Sequence, residues 1–501
     1  MPRADAGRPA ATGDSRTLAE VLAARAGVSP DQLAFDDGRR RLTFAELEAR
    51  AQEAACGMAA HGVRARDRVA LVLPSGLEFV TCFWAIQLLG ATACAVNPYM
   101  PEPAIRRRVS SVAPTLSVTA TTELPAADAR LTDPAVGEGD PAILQLTSGT
   151  EGEPQAAVIT HRNTLAQIRS MASAGYVREG DVLVDWIPPW HDMGLHLFVV
   201  GAVYLGTPCF VVEPAIRNIP EWLATVGRVG GTFTAAPDFA YRLASRMVPA
   251  GSVDLSSLRT AASGGEPVRR STIEAFEERL GAPGRVLPGY GLAEATLGVT
   301  TATHGEELVV DGRGNVSCGW PFPGLEVSAG SALERPGEIL VRGETVFAGY
   351  LDAPDGQRPL RDGWLHTGDE GYLDADGRLY VLGRQRAMLK RAGAVIAPRE
   401  LEDAAYEVDG VRYAAAVSHP PRGGQASEIV TVVLEVEDGA SSQAVEPAVT
   451  AAVESAVGFA PHRVVVAERR GIPRTDNGKT RYDRLRALLE SNELPATTRS
   501  A

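Results

Sequence analysis

The sequence predicts an α/β fold: a large N-terminal domain of doubly wound sheets with a β-rich subdomain, followed by a small α+β C-terminal domain. Three observations carry that expectation. Short apolar runs alternate with helical stretches of ten or more residues, the pattern of parallel strands covered on both faces. From about Pro336 the texture changes to successive strands, and after Arg384 a smaller helix-and-strand unit begins. A chain of 501 residues is too long for one ordinary core and calls for two or three lobes. The expected boundaries are a flexible tail over 1–16, the N-terminal domain over 17–383 and the C-terminal domain over 384–501.

The tail is rich in Ala, Gly, Pro and charge and has no apolar stretch, so it is not read as a signal peptide. Thr43-Phe44-Ala45-Glu46 has capping-box form and opens a helix running toward Met58. Strands follow at 69–73 and 91–96, the first closed by Pro74-Ser75-Gly76 and the second by Asn97-Pro98, with a helix over 79–89 between them. Apolar strands recur at 142–146, 156–159, 182–187, 208–212, 232–236 and 285–287. The β-rich part holds strands at 337–341 and 378–382. In the C-terminal unit a helix over 399–407 precedes strands at 413–418, 429–436 and 462–467 and a final helix, and Pro420-Pro421-Arg422-Gly423-Gly424 reads as an exposed loop. In such sheets ligands bind in the loops beyond the carboxyl ends of the strands.

Composition excludes several classes. With 45% hydrophobic and 22% charged residues the chain is an ordinary globular one. A net charge of −13 opposes nucleic-acid binding, which needs clustered Lys and Arg. Arg39-Arg40-Arg41 reads as a solvated hairpin end, and Arg106-Arg107-Arg108 as the wet face of a helix. Cys56, Cys82, Cys94, Cys209 and Cys318 are scattered in apolar surroundings without His neighbours, which reads as buried free thiols of a reducing cytosol rather than disulfides or a metal site. No apolar run is long enough for a membrane span. A cytoplasmic monomer or homodimer is expected.

The stretch Thr147-Ser148-Gly149-Thr150-Glu151-Gly152-Glu153-Pro154-Gln155-Ala156 lies between two strands. Its hydroxyls supply donors and its glycines let backbone N–H groups approach an anion, which suits nucleotide phosphates. It also carries two carboxylates and no cation.

Other segments follow in order: Val158-Ile159-Thr160-His161-Arg162-Asn163, Pro188-Pro189-Trp190-His191-Asp192-Met193-Gly194-Leu195 and Ala262-Ser263-Gly264-Gly265-Glu266-Pro267-Val268. Next come Gly289-Tyr290-Gly291-Leu292-Ala293-Glu294-Ala295-Thr296, Trp364-Leu365-His366-Thr367-Gly368-Asp369 and Gly383-Arg384-Gln385-Arg386. Ile396-Ala397-Pro398-Arg399-Glu400-Leu401-Glu402 and Pro473-Arg474-Thr475-Asp476-Asn477-Gly478-Lys479 complete the set. In this order and spacing, from about residue 17 to 490, the chain resembles the adenylate-forming superfamily of acyl-CoA synthetases, peptide-synthetase adenylation domains and luciferases. His191-Asp192-Met193-Gly194, the 291–296 segment and Pro237-Asp238-Phe239-Ala240-Tyr241 are similar to fatty acyl-AMP ligases, which feed carrier proteins in natural-product pathways.

That resemblance implies ATP-dependent activation of a carboxylic acid to an acyl-adenylate with release of pyrophosphate, then transfer to the thiol of CoA or of carrier-protein phosphopantetheine. Joining two anions requires a site that neutralises charge and holds the partners in line. It implies an ATP site of Thr147, Ser148, Gly149, Thr150, Gly265, Glu266, Gly289, Tyr290, Gly291, Asp369 and Arg384, with Tyr290 on the adenine and Asp369 accepting from the ribose hydroxyls. Glu294 would hold Mg²⁺ against the phosphates, and Lys479 would reach the substrate carboxylate and α-phosphate. His191 would gate the passage between acyl pocket and thiol tunnel, with Trp190, His196, Phe239 and Tyr241 as pocket side chains. In the family the small domain swings about a hinge, here Arg386, between the two half-reactions.

This chain departs from its relatives in four places. Gln155 and Ala156 stand where lysine and glycine are usual, and Glu151 replaces a hydroxyl residue. Arg386 and Ala387 stand at the hinge where Lys or Asp and then an acidic residue are usual, although Gly393 in the following loop is retained. Only a short segment, 352–363, precedes Trp364, where fatty acyl-AMP ligases usually carry an insertion. The readings left open are a partner-dependent enzyme that adenylates weakly, a diazotase-type ligase that uses nitrite and an amine, a non-catalytic ATP-binding regulator and a luciferase-type oxygenase.

Overall fold

The computed structural model describes residues 12–120, 124–125, 135–147, 155–353, 359–391, 394–419, 429–474 and 480–495. Ser148, Gly149, Thr150, Glu151, Gly393, Lys479 and the 420–424 loop lie outside the described residues.

The N-terminal part is built on two sheets. The larger has nine strands, and its six central members, Val286–Gly291, Thr260–Ser263, Phe233–Ala236, Leu183–Asp185, Cys209–Val211 and Leu33–Asp36, run parallel. Antiparallel strands close both edges. The second sheet has the order Leu116–Thr119, Arg68–Val72, Thr92–Ala95, Pro141–Thr147 and Gln155–Thr160. Its first four strands are parallel, but the last folds back on Pro141–Thr147 as an antiparallel hairpin. One apolar core runs through both sheets and the β-rich subdomain, from Phe44 and Trp84 through Phe198 to Val341 and Leu365. Burial of that shared face, not local propensity, holds these parts together.

Local chemistry explains the element ends. Thr43 caps Phe44–Ala60 with the complete capping box expected, Glu46 N–H to the Thr43 hydroxyl and Thr43 N–H to the Glu46 carboxylate. The Arg39–Arg41 run is the exposed end of the hairpin Leu33–Asp36 to Arg41–Thr43, and Arg106 lies exposed on the helix Glu102–Val112. The start of the chain corrects the expectation of a loose tail to residue 16. Thr12 is buried and its hydroxyl donates to the Tyr204 carbonyl at 2.7 Å, so the segment is tied down before the first helix, Leu18–Val28.

The β-rich subdomain joins Leu325–Ser328, Gly337–Gly343, Trp364–Leu373, Leu360–Arg361 and Leu379–Arg384 in antiparallel pairs. Beyond it, the sheet Val411–His419, Ile429–Val436, Arg463–Val466 packs with Pro398–Tyr406, Ser442–Val457 and Tyr482–Ser491 around its own two apolar clusters. None of the five cysteines forms a disulfide, and all are buried. No helix among the described residues is long and apolar enough to cross a membrane.

Candidate active site

Sheet register brings the first pair together. Trp364–Leu373 and Leu379–Arg384 are antiparallel neighbours, and Asp369 stands directly opposite Arg384. Gly368, at φ +70°, sits in a bulge of the strand Trp364–Leu373 just before Asp369. The Thr367 hydroxyl receives the Asp369 N–H at 3.1 Å and donates to the Ile339 carbonyl at 2.7 Å, which fixes the bulge to the neighbouring strand. Arg384 Nε lies 3.0 Å from Asp369 Oδ1, and its Nη1 donates to the Thr367 carbonyl at 2.8 Å.

The large sheet contributes Tyr290 at the carboxyl end of Val286–Gly291, whose hydroxyl donates to Asp369 Oδ2 at 2.7 Å. Burial, reinforced by the Asp369 carboxylate, pushes this hydroxyl well above the usual tyrosine range, so it remains a donor. Asp369 thus takes the Tyr290 hydroxyl on one oxygen and faces Arg384 with the other. Gly291 has a packing reason of its own: a Cβ there would lie 1.9 Å from the Leu297 carbonyl. At Gly289 the corresponding approach is 3.0 Å to the Thr300 carbonyl.

Glu294 follows in a 3₁₀ turn, and its Oε1 accepts the Tyr350 hydroxyl at 2.5 Å. Tyr350 went unread in the sequence, although its Gly349-Tyr350 pair lies shortly before Asp369 and carries the glycine-aromatic signature of a close approach. It is delivered by backbone pairing: Val158 N–H donates to Gly349 at 2.9 Å and Leu351 N–H to Ala156 at 2.8 Å. The hairpin that carries the phosphate-type loop is therefore stitched to the segment holding Tyr350. Asp369, Tyr290, Glu294 and Tyr350 all act on the charge of Arg384, and direct contacts join Tyr290 to Asp369, Asp369 to Arg384 and Tyr350 to Glu294.

At the foot of the loop Thr147 pairs with Gln155, and its hydroxyl donates to the Gln155 carbonyl at 3.3 Å. Ala156 is buried in a small apolar cluster with Cys94, Val96 and Leu144, so its methyl group is part of the packing.

His191 Nδ1 lies 2.6 Å from Asp192 Oδ1, and the same carboxylate oxygen takes the Met193 N–H at 2.8 Å. The Met193 N–H also lies 3.2 Å from His191 Nδ1, and Nε2 faces Gly265, where a Cβ would sit 4.0 Å away. Gly265 itself is at φ +79°. Glu266, next to it, accepts the Phe239 N–H at 2.6 Å. The expected pocket residues divide. Trp190 and Phe239 are partly exposed, Trp190 edge-on to the exposed Tyr99 at 5.8 Å. Tyr241 is fully buried beside Trp222 and Phe276, its hydroxyl on the Ala262 carbonyl at 2.9 Å. His196 is also fully buried, in the π-helical turn Gly194–Val200, with neither ring nitrogen hydrogen-bonded; burial lowers its pKa to about 4. Arg386 occupies the 3₁₀ turn Gln385–Ala387, where its carbonyl accepts from Arg486 at 3.3 Å.

No group of three or more His, Cys, Asp or Glu side chains among the described residues is arranged to hold a metal ion. A lone carboxylate such as Glu294, already steadied by a tyrosine hydroxyl, fits a Mg²⁺ whose other ligands are phosphate oxygens and water.

Comparison with known proteins identifies the family. A family model described as AMP-binding enzyme matches residues 22–138 and 119–351. The chain is 32% identical to the ligase-named protein Rv1013 of Mycobacterium tuberculosis, over 88% of this chain and 93% of that protein. It is 30% identical to 4-coumarate--CoA ligase-like 4 of Oryza sativa subsp. japonica, over 72% and 73%. A solved structure from a study of fatty acyl-adenylate ligases of E. coli and L. pneumophila superposes with a TM-score of 0.84 at 25% identity, covering 96% of this chain and 99% of that one.

Proposed function

The chain belongs to the AMP-binding enzyme family, ATP-using ligases that adenylate acyl or aryl acids, and we propose that it completes that reaction by passing the acyl group to a pantetheine-type thiol. The observation that carries this reading is the Tyr290–Asp369–Arg384 cluster beside Glu294 and Tyr350. In the first step a carboxylate oxygen of the acid bonds to the α-phosphorus of ATP, and the bond to the β-phosphate oxygen breaks as pyrophosphate leaves. Asp369 orients the ribose, Tyr290 presents its ring to the base, and Arg384 sets positive charge beside the sugar and phosphate. Mg²⁺ held by Glu294 would neutralise phosphate charge. Lys479 neutralises the acid and the α-phosphate as they meet, a contribution on the order of 10²–10³ in rate. In the second step the thiolate sulfur bonds to the acyl carbon and AMP leaves; no protein nucleophile is needed, and His191 lines the route by which the thiol enters.

Relatives divide between a CoA ligase by name and a structure of acyl-adenylate ligases, so CoA and carrier phosphopantetheine share the chemistry proposed here. The test is a screen of acids by hydroxamate trapping, followed by competition between CoA and a phosphopantetheinylated carrier for the trapped intermediate. Lys479→Ala is expected to abolish adenylation and to spare nucleotide binding. Acyl-AMP formation by that variant at the parental rate would refute the assignment. Absence of ATP–pyrophosphate exchange across a broad acid panel would favour an enzyme that receives its adenylate from a partner, the reading to which Gln155 and Glu151 lend weight.

A further inference from the structure

The segment that brings Gly265 to His191 does not end at the nucleotide site. Four residues on, Arg269 lies between two carboxylates from opposite sides of the interface between the large and small domains. Its Nη1 is 3.1 Å from Asp238 Oδ2, and its Nε is 2.5 Å from Asp403 Oδ1. Asp238 opens the helix Asp238–Met247 and is fully buried; it also accepts the Arg269 N–H at 2.8 Å and the Thr272 hydroxyl at 3.1 Å. Asp403 belongs to Pro398–Tyr406 of the small domain. At the end of that helix the Tyr406 ring takes the Arg269 guanidinium at 4.9 Å and the Arg242 guanidinium at 4.8 Å from its centroid.

The contacts continue inward. Tyr406 is edge-on to Tyr413 at 6.3 Å. The Tyr413 hydroxyl is 3.0 Å from the Thr480 hydroxyl, and its ring carries the Arg474 guanidinium 3.7 Å from its centroid. Arg474 and Thr480 are bridged to each other and flank the segment that contains Lys479. A continuous line of packed and charged groups thus joins the Ser263–Val268 loop to both feet of the lysine segment.

We propose that Arg269 is a positioning residue for the first half-reaction: clamped by Asp238 and Asp403, it holds the small domain against the large one in the placement that serves adenylation. The inference rests on the two-step reading above. Two features make the clamp selective. The Asp238 arm is fully buried and stays with the large domain, whereas Asp403 is one-third exposed and is the arm that parts if the small domain turns. The Tyr406 stack adds attraction that depends on close approach and vanishes with separation. Losing the clamp therefore removes stabilisation from the adenylating placement and leaves any other placement untouched.

The test compares Asp403→Asn with the parent and with Asp403→Glu as the conservative variant. Acyl-adenylate formation and thiol consumption of supplied acyl-adenylate are measured separately, in single turnover. Asp403→Asn should slow the first step about tenfold, leave the second unchanged or faster, and be partly rescued by Asp403→Glu. Spin labels on Ser110→Cys and Ser455→Cys, one in each domain, give an activity-independent readout: the interdomain distance should broaden in Asp403→Asn. An equal fall in both steps, or parental rates with a parental distance distribution, would overturn the proposal. If the parent forms no acyl-adenylate from any acid, it is the two-step reading that fails; the distance readout then decides the clamp alone, broadening supporting it and an unchanged distribution refuting it.

Discussion

His161 lies in the segment that follows the loop, and its position makes stability depend on acid in a way that can be calculated. It is 1% exposed, and its Nδ1 accepts the Leu18 backbone N–H at 3.2 Å, so the folded protein needs that nitrogen unprotonated. Burial lowers its pKa from 6.5 to about 4, despite the opposing charges of Asp140 and Glu20. The unfolded chain takes up a proton as pH falls through 6.5, while the folded one resists until about 4. Stability is therefore complete above 6.5 and drains away between 6.5 and 4. The linkage integral gives a loss of about 2 kcal/mol at pH 5 and about 3 kcal/mol by pH 4 from this one residue. His161→Asn keeps an acceptor for Leu18 and removes the titration. Urea unfolding at half-unit intervals from pH 8 to 4.5, followed by a probe of the large domain, should show a shallower acid slope in the variant by up to about 1.4 kcal/mol per pH unit. Coincident slopes would refute the reasoning, whatever the absolute stability at neutral pH.

Asp369→Asn retains shape but surrenders the charge that pairs with Arg384, and the KM for ATP should rise about 10–100-fold in steady-state assays, with hydrogen bonds to a charged group contributing about 1.5–3 kcal/mol each. An unchanged KM would remove Asp369 from the ribose site. Gly291→Ala places a methyl group against the Leu297 carbonyl, a backbone atom that cannot step aside, and should cost roughly 1–3 kcal/mol or more in denaturant unfolding, with or without nucleotide.

Much of this architecture was legible because its signals are local. The capping box at Thr43 and the apolar runs at Arg68–Val72 and Ile429–Val436 state their structure within a few residues. The adjacency of Asp369 and Arg384 follows from two strands joined by a short turn around Asp374-Gly377. What escaped needed pairings between distant segments. Tyr350 reaches Glu294 because the 347–351 segment lies on a strand nearly two hundred residues earlier, which no spacing rule encodes. Arg269 looks like an ordinary helix-flanking cation until Asp238 and Asp403 converge on it. Tyr241, expected as a pocket side chain, is buried beside Trp222 and Phe276, and periodicity does not separate the two faces of a buried element. His161 sits in a segment read for its resemblance, yet its observed contact anchors the first helix.

The π-helical turn Gly194–Val200 makes chain length itself a coded quantity. A π turn accommodates more residues per revolution than an α turn, and each residue of an α-helix advances the side-chain direction by about 100°. Phase between the His191–Asp192 end and the helix Gly201–Leu205 is thus set by how many residues are threaded through, not only by which ones. Removing one residue from this turn would let it relax to α-helical winding without a break in the chain, and would rotate His196 and its neighbours against a fixed sheet. A count of residues here acts as a dial on which side chains face inward.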